Sequence, residues 1–214
     1  MNKSILLTLP PEIIVKVLNH DVSILVRKLF PKDYIGWVYL YCSKNCDKSN
    51  VIFVKNICIP YCATKNPYLF FYKEIEDKRE YNNCYQKLNG KVVARFWCDK
   101  VEEIKPSWVC LNYNKKDLLK NACLTEQEFD DYVGLIYYSF FAIHISKLEI
   151  FDRPRELSEF HKVGFYELVD CIYEEYRDAG YDKDRAASKS WWDAHCNKLL
   201  TKAPQNYCYV EEEN

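Results

Sequence analysis

No stretch of this 214-residue chain approaches the roughly 20 consecutive apolar residues that a membrane-spanning helix needs. Its start, MNKSILLTLPPEI, lacks a long apolar core followed by a small-residue cleavage site, so no secretory leader is expected. An excess of one charge is missing too. Thirty Lys and Arg face 31 Asp and Glu, for a net charge of −1, so global charge does not announce a nucleic-acid binder. Any phosphate site has to be local. Internal repeats and low-complexity linkers are absent, and no ordered Ser, His and Asp set or Cys and His pairing strengthens a catalytic reading. These absences leave a cytoplasmic protein with no membrane partner as the expectation.

What is present describes a folded chain. A composition of 49% hydrophobic and 16% aromatic residues lies far from the low hydrophobicity and high net charge of disorder. The length suits one cored domain over residues 1–214, with insertions at about 44–89 and 161–202. Eleven cysteines, an odd number, argue against a complete disulfide framework; in a reducing compartment they act mainly as small buried hydrophobes. Metal binding is the main alternative. Cys42, Cys46, Cys58 and Cys62 form C-x3-C-x11-C-x3-C, a spacing that can hold a structural zinc. Against it, Cys42 and Cys58 fall in or beside predicted strands. No other cofactor is expected.

Periodicity sets out the elements. Residues 4–9, SILLTL, read as a strand closed by Pro10 and Pro11, and PEIIVKVLNH as a short helix with proline at its start. HDVSILVRKLFP (20–31) reads as a second strand that ends on two cations and is stopped by Pro31. Further strands are predicted at 36–43, 50–59, 90–104 and 140–151, the last leaving the sheet at Pro154. Residues 66–89 show no clean period. Thr125 and Glu128 form a capping box that starts a helix over 124–133. Helices are predicted at 165–180, with Gly180 as its stop, and at 182–200. APQNYCYVEEE supplies a final strand. This order predicts an α+β fold on a curved, largely antiparallel sheet or small barrel.

Four stretches, ILLTLPPEIIVKVLNHDVSILVRKLFP (5–31), GKVVARFWCDKVEEI (90–104), AIHISKLEIFDRPRELSEF (142–160) and APQNYCYVEE (203–212), match one pattern in register over about a third of the chain. Through them the chain resembles the ASCH domain family, a branch of the PUA-like β-barrels. The resemblance implies a small curved β-barrel with flanking helices, here with a C-terminal helical insertion, and a cleft that binds RNA. Family members also include amidohydrolases acting on a modified cytidine, and ribonucleases. The family motif, G-x-K-x-x-[E/T]-x-R, places its glycine at His20, its lysine at Val22, its acid or hydroxyl at Leu25 and its arginine at Arg27. Only Arg27 is kept. Val22 and Leu25 can neither activate a nucleophile nor move a proton, and Ser23 is poorly placed to replace them.

Binding asks for less than catalysis. Arg27 can hold a phosphate bidentately or stack on a base, and Lys28 adds a point charge. The plainer reading is that Arg27 meets an internal partner and Lys28 is solvated. Arg95, a lone cation in an apolar strand, either lines the same cleft or pairs with Asp99 or a glutamate of the insertion. His144 is a satisfied histidine or a site residue. Ser23, Gln205 and Tyr207 can contact a nucleotide, while Tyr207 also suits packing. Residues 165–200, rich in tyrosine and tryptophan, offer a surface for a protein partner. The expectation is therefore non-catalytic binding of RNA or a nucleotide-like ligand by a bacterial or phage-type accessory protein, with an ASCH-type enzyme and a protein-interaction module as alternatives.

Overall fold

Leu6, Leu7 and Ile5 have no exposed surface, which marks the first strand, β1 (Ser4–Leu9), as covered on both faces. A computed structural model describes residues 3–45, 47–54, 67–72, 85–105, 113–134 and 139–212. After β1, Pro11 opens helix α1 (Pro11–Leu18), followed by β2 (Ile24–Arg27), β3 (Gly36–Cys42), β4 (Asp47–Val54), β5 (Pro67–Tyr72), β6 (Tyr85–Lys87) and β7 (Val92–Ile104). Helices α2 (Lys115–Asn121) and α3 (Glu126–Val133) lead to the long strand β8 (Phe140–Arg155). The chain ends with β9 (Phe160–Lys162), α4 (Phe165–Asp178), α5 (Lys183–Lys198) and β10 (Tyr207–Glu212).

Seven strands form one sheet in the order β2-β8-β7-β3-β1-β10-β9, and β4-β5-β6 form a second. The fold is thus α+β, but among the described residues β2 and β9, the two end strands, do not pair with each other, so the expected barrel is not closed. It is nevertheless strongly curled. Arg27 of β2 reaches the Thr8 carbonyl of β1 at 2.5 Å. Four strand spacings would separate those strands by about 19 Å in a flat sheet, far beyond an arginine side chain. Register shifts supply the bend: β7 and β8 slip at three places, β3 and β7 at one, and Lys147 adopts φ 45° within β8.

The inside of the curl is filled by Ile5, Leu7, Ile14, Leu25, Phe96 and Ile143. On the opposite face, α2 and α3 cover one end through Leu118 and Phe129 against Val26 and Phe140. The other end packs Leu6, Tyr39, Phe160, Leu200 and Val210. Lys16 of α1 is 5% exposed and donates to the Cys123 carbonyl at 2.8 Å, tying that helix to the α2–α3 pair.

Three expectations change. Strand β8 continues through Pro154 to Arg155; among the described residues β2 pairs with β8 only at its first residues, so on that edge of the later part no ladder is left for proline to break. The final strand does not close a barrel; it lies between β1 and β9. Helix α2, capped by Asn114 accepting from the Asp117 amide at 3.3 Å, was not expected from the sequence. The capping box at Thr125 and Glu128 forms as its residues require.

Glu211 in β10 joins the late helices to the sheet. The residue is 9% exposed, and its carboxylate accepts from the amides of Gly164 and Phe165 at 3.0 Å each, so it caps the start of α4 from outside the helix. Glu211→Ala leaves both amides without this partner and should cost about 2–3 kcal/mol, read as a lowered urea midpoint at unchanged slope.

Candidate anion-binding site at the rim of the sheet

Arg27 ends β2, on the same side of the strand as Leu25, and the curl turns it toward the end of β1. One terminal nitrogen donates to the Thr8 carbonyl at 2.5 Å and the other to the Tyr132 hydroxyl at 3.4 Å. Thr8 is itself held by the 204–206 turn: its hydroxyl donates to the Pro204 carbonyl at 2.8 Å and its amide to the Asn206 carbonyl at 2.9 Å. Lys28, exposed, places its ammonium 5.5 Å from the Tyr132 ring centre. Gln205 and Asn206 are exposed beside this cluster. Tyr207 follows, half-buried, with its ring 5.7 Å from Phe30.

The electrostatics are distinctive. Among the described residues, no carboxylate pairs with Arg27 or Lys28. Other cations do pair: Lys32 with Glu103 at 3.1 Å, Lys115 with Glu126 and Asp130 at 2.8 and 3.0 Å, and Arg155 with Glu159 at 3.2 Å. Arg27 is oriented by neutral oxygens that leave its charge uncompensated. A half-buried guanidinium in that state suits an anion.

The curl thus brings Arg27 and Lys28 to the rim where the 204–206 turn holds Thr8, while Tyr207 packs toward Phe30 and the inner cluster. It sends the other sequence candidates elsewhere. Arg95 lies on the opposite face of the sheet, stacked on Trp37 at 4.2 Å, donating to Glu149 at 2.7 Å and to the Tyr39 hydroxyl at 3.2 Å. Among the described residues its acidic partner is Glu149, not Asp99. The open groove there, with about 500 Å³ of room, carries Arg95, Arg153 and Arg155 but also Glu149, Asp152 and Glu159. His144 is engaged with Glu102 at 2.9 Å. Lys100, and after it His144, hold the Glu102 carboxyl below its ordinary range against opposing desolvation. A depressed carboxyl contributes stability present above its unfolded value and lost as pH falls through its folded one. Exposed Ser23 uses its backbone, donating to the Asn121 carbonyl and accepting from Ile145, both at 2.9 Å.

Val22 and Leu25, where the resembled motif has its lysine and its acid or hydroxyl, are 5% and 4% exposed and belong to the core inside the curl. Thr8 and Tyr132 were missed as site residues. Thr8 acts through its backbone, which no side-chain pattern reports, and Tyr132 arrives on α3 from a hundred residues downstream of Arg27.

Of the cysteine quartet, Cys42 is buried in β3, while Cys46, Cys58 and Cys62 lie outside the described residues. Among the described residues, no group of three or more His, Cys, Asp or Glu is placed to hold a metal, and no helix is long and apolar enough to cross a membrane. Burial pushes the Cys98 thiol up to about 11. A short iodoacetamide pulse on the native protein should therefore label exposed Cys171 and Cys196 and spare Cys42 and Cys98 until unfolding, as read by peptide mass mapping.

No protein-family model and no curated protein matches the chain. Among solved structures it is similar to the crystal structure of ASCH from Zymomonas mobilis, at 10% identity over 99% of this chain and 90% of that one, with a TM-score of 0.48. It is similar also to two single-substitution variants of that protein, each at 11% identity over 98% of this chain, covering 91% and 89% of those chains, with TM-scores of 0.45 and 0.46. At that level the likeness assigns no residue and no activity to this chain.

Proposed function

We propose that this protein binds RNA or a nucleotide-like anion at the rim formed by Arg27, Lys28 and the 204–206 turn, without chemistry at the positions of the resembled motif. The observation that carries the reading is the uncompensated Arg27 guanidinium, aimed by the Thr8 carbonyl and the Tyr132 hydroxyl with no acidic partner among the described residues. An incoming phosphate accepts from guanidinium N–H groups that these two acceptors do not use, so the fork stays aimed, while exposed Lys28 adds a mobile charge and Gln205 a polar contact. The apolar surroundings of Val22 and Leu25 support binding over hydrolysis, since neither can supply a base or a nucleophile there.

The test is a fluorescence-anisotropy titration of short single-stranded RNA at 50 and 200 mM salt, concentrations at which phosphate contacts separate clearly. Wild type should bind more weakly at the higher salt. Arg27→Ala should lose tenfold or more in affinity, and Lys28→Ala should keep the fold and lower the salt slope by about 1. Binding equal in wild type and both variants, or absent in wild type, overturns the reading.

A further inference from the structure

The late helical pair holds a contact that the rim site does not use. His161 of β9 is 1% exposed, and its Nε2 lies 2.8 Å from Nδ1 of His195 in α5. Both rings are stacked, His161 on Phe165 with centroids 3.9 Å apart and His195 on Trp191 at 4.7 Å. A hydrogen bond between two imidazoles needs one N–H and one lone pair. The contact therefore tolerates two neutral rings or one shared positive charge. With both rings protonated, two cationic donors would face each other at hydrogen-bond distance.

Among the described residues, charged and titratable neighbours approach from β9, β10, α4 and α5. From β10, Glu211 stands opposite His161 in the strand pairing, with both carboxylate oxygens engaged by the Gly164 and Phe165 amides. From α4 come Tyr166 and Glu167, next to Phe165, and Tyr176, which donates to Asp193 of α5. On α5, Lys189 pairs with Asp193 at 3.8 Å and Lys198 donates to the Val163 carbonyl at 3.3 Å. Lys162 adjoins His161 in β9 and is exposed. Among the described residues, none of these carboxylates bonds His195, so a second proton finds no direct counter-charge on that ring.

We propose that His161 and His195 form a proton-sensitive latch, which holds the α4–α5 hairpin on the sheet at neutral pH and releases it in mild acid. The contact sits where the hairpin is tied down: Leu199 bridges to His161, and the Leu200 amide donates to the Phe160 carbonyl at 3.1 Å. From there the chain runs through Pro204 and Asn206, which hold Thr8. Release thus loosens the turn that frames Arg27. That consequence rests on the function proposed for Arg27; the latch itself does not. Opening separates the two rings, so each can then carry its own proton without facing the other, and acid favours the open form.

The test needs no RNA. Hydrogen exchange of the full chain is followed by mass spectrometry at pH 7.5 and 5.0, with intrinsic rates corrected. Peptides from 160–165 and 183–200 should exchange at least tenfold faster at pH 5.0, while β1 and β3 keep their protection. His195→Asn sets a non-titrating amide near the Nδ1 position and His161→Gln does so near Nε2; either should remove most of the pH difference. Acceleration that includes β1 and β3, no acceleration in wild type, or an unchanged pH difference in a variant folded by circular dichroism overturns the latch. If neither variant folds, the wild-type profile alone decides.

Discussion

A sheet whose first strand is buried on both faces must be covered twice, and here one of the two covers is the sheet itself. Ile5 and Leu7 point into a space that Leu25, Phe96 and Ile143 fill from other strands of the same curl, with Ile14 and Leu18 of α1 completing it. That burial is the main drive. The curl then determines which distant residues meet: β2, four places from β1 in the strand order, returns to it closely enough for Arg27 to bond the Thr8 carbonyl. The rim site follows from that closure, and so does the confinement of Val22 and Leu25 to the apolar interior.

The distribution of charge pairing separates the two arginines on which attention falls. Arg95 stands among carboxylates and aromatic rings, where its charge is answered by Glu149 and its plane by Trp37. Exposed pairs of that kind contribute little to stability, but they reduce the field available to an anion. Arg27 is held by a carbonyl and a hydroxyl instead. Neutral acceptors orient a guanidinium without cancelling it, which is why the rim and not the opposite groove carries the proposed function.

The hairpin of α4 and α5 is joined to this arrangement by polar contacts over a small apolar seam. Glu211 caps α4 from β10, and the histidine pair joins α5 to β9. Such contacts depend on protonation in a way that the packing of Ile5, Leu7 and Phe96 does not. The molecule therefore combines a pH-indifferent curled core with an appendage whose docking responds to the medium, and the turn at Pro204 connects the two.

Local features were legible wherever a few neighbouring residues carry the whole physical cause. The Thr125 and Glu128 capping box, the proline start of α1, the alternation of β7 and the left-handed Gly180 after α4 all follow from side-chain chemistry within a turn or a strand. Asn114 offered a similar signal for α2 that periodicity alone passed over. The sequence by itself determined the class of fold, the positions of most elements and Arg27 as the surviving cation of the resembled motif. Only the tertiary structure decided that the sheet stays open, that Arg95 and Arg27 occupy opposite faces, and that Thr8, Tyr132 and the 204–206 turn surround the latter. The reason is that curl arises from register slips between strands far apart in the chain, and a slip leaves the alternation of each strand intact while changing what it meets.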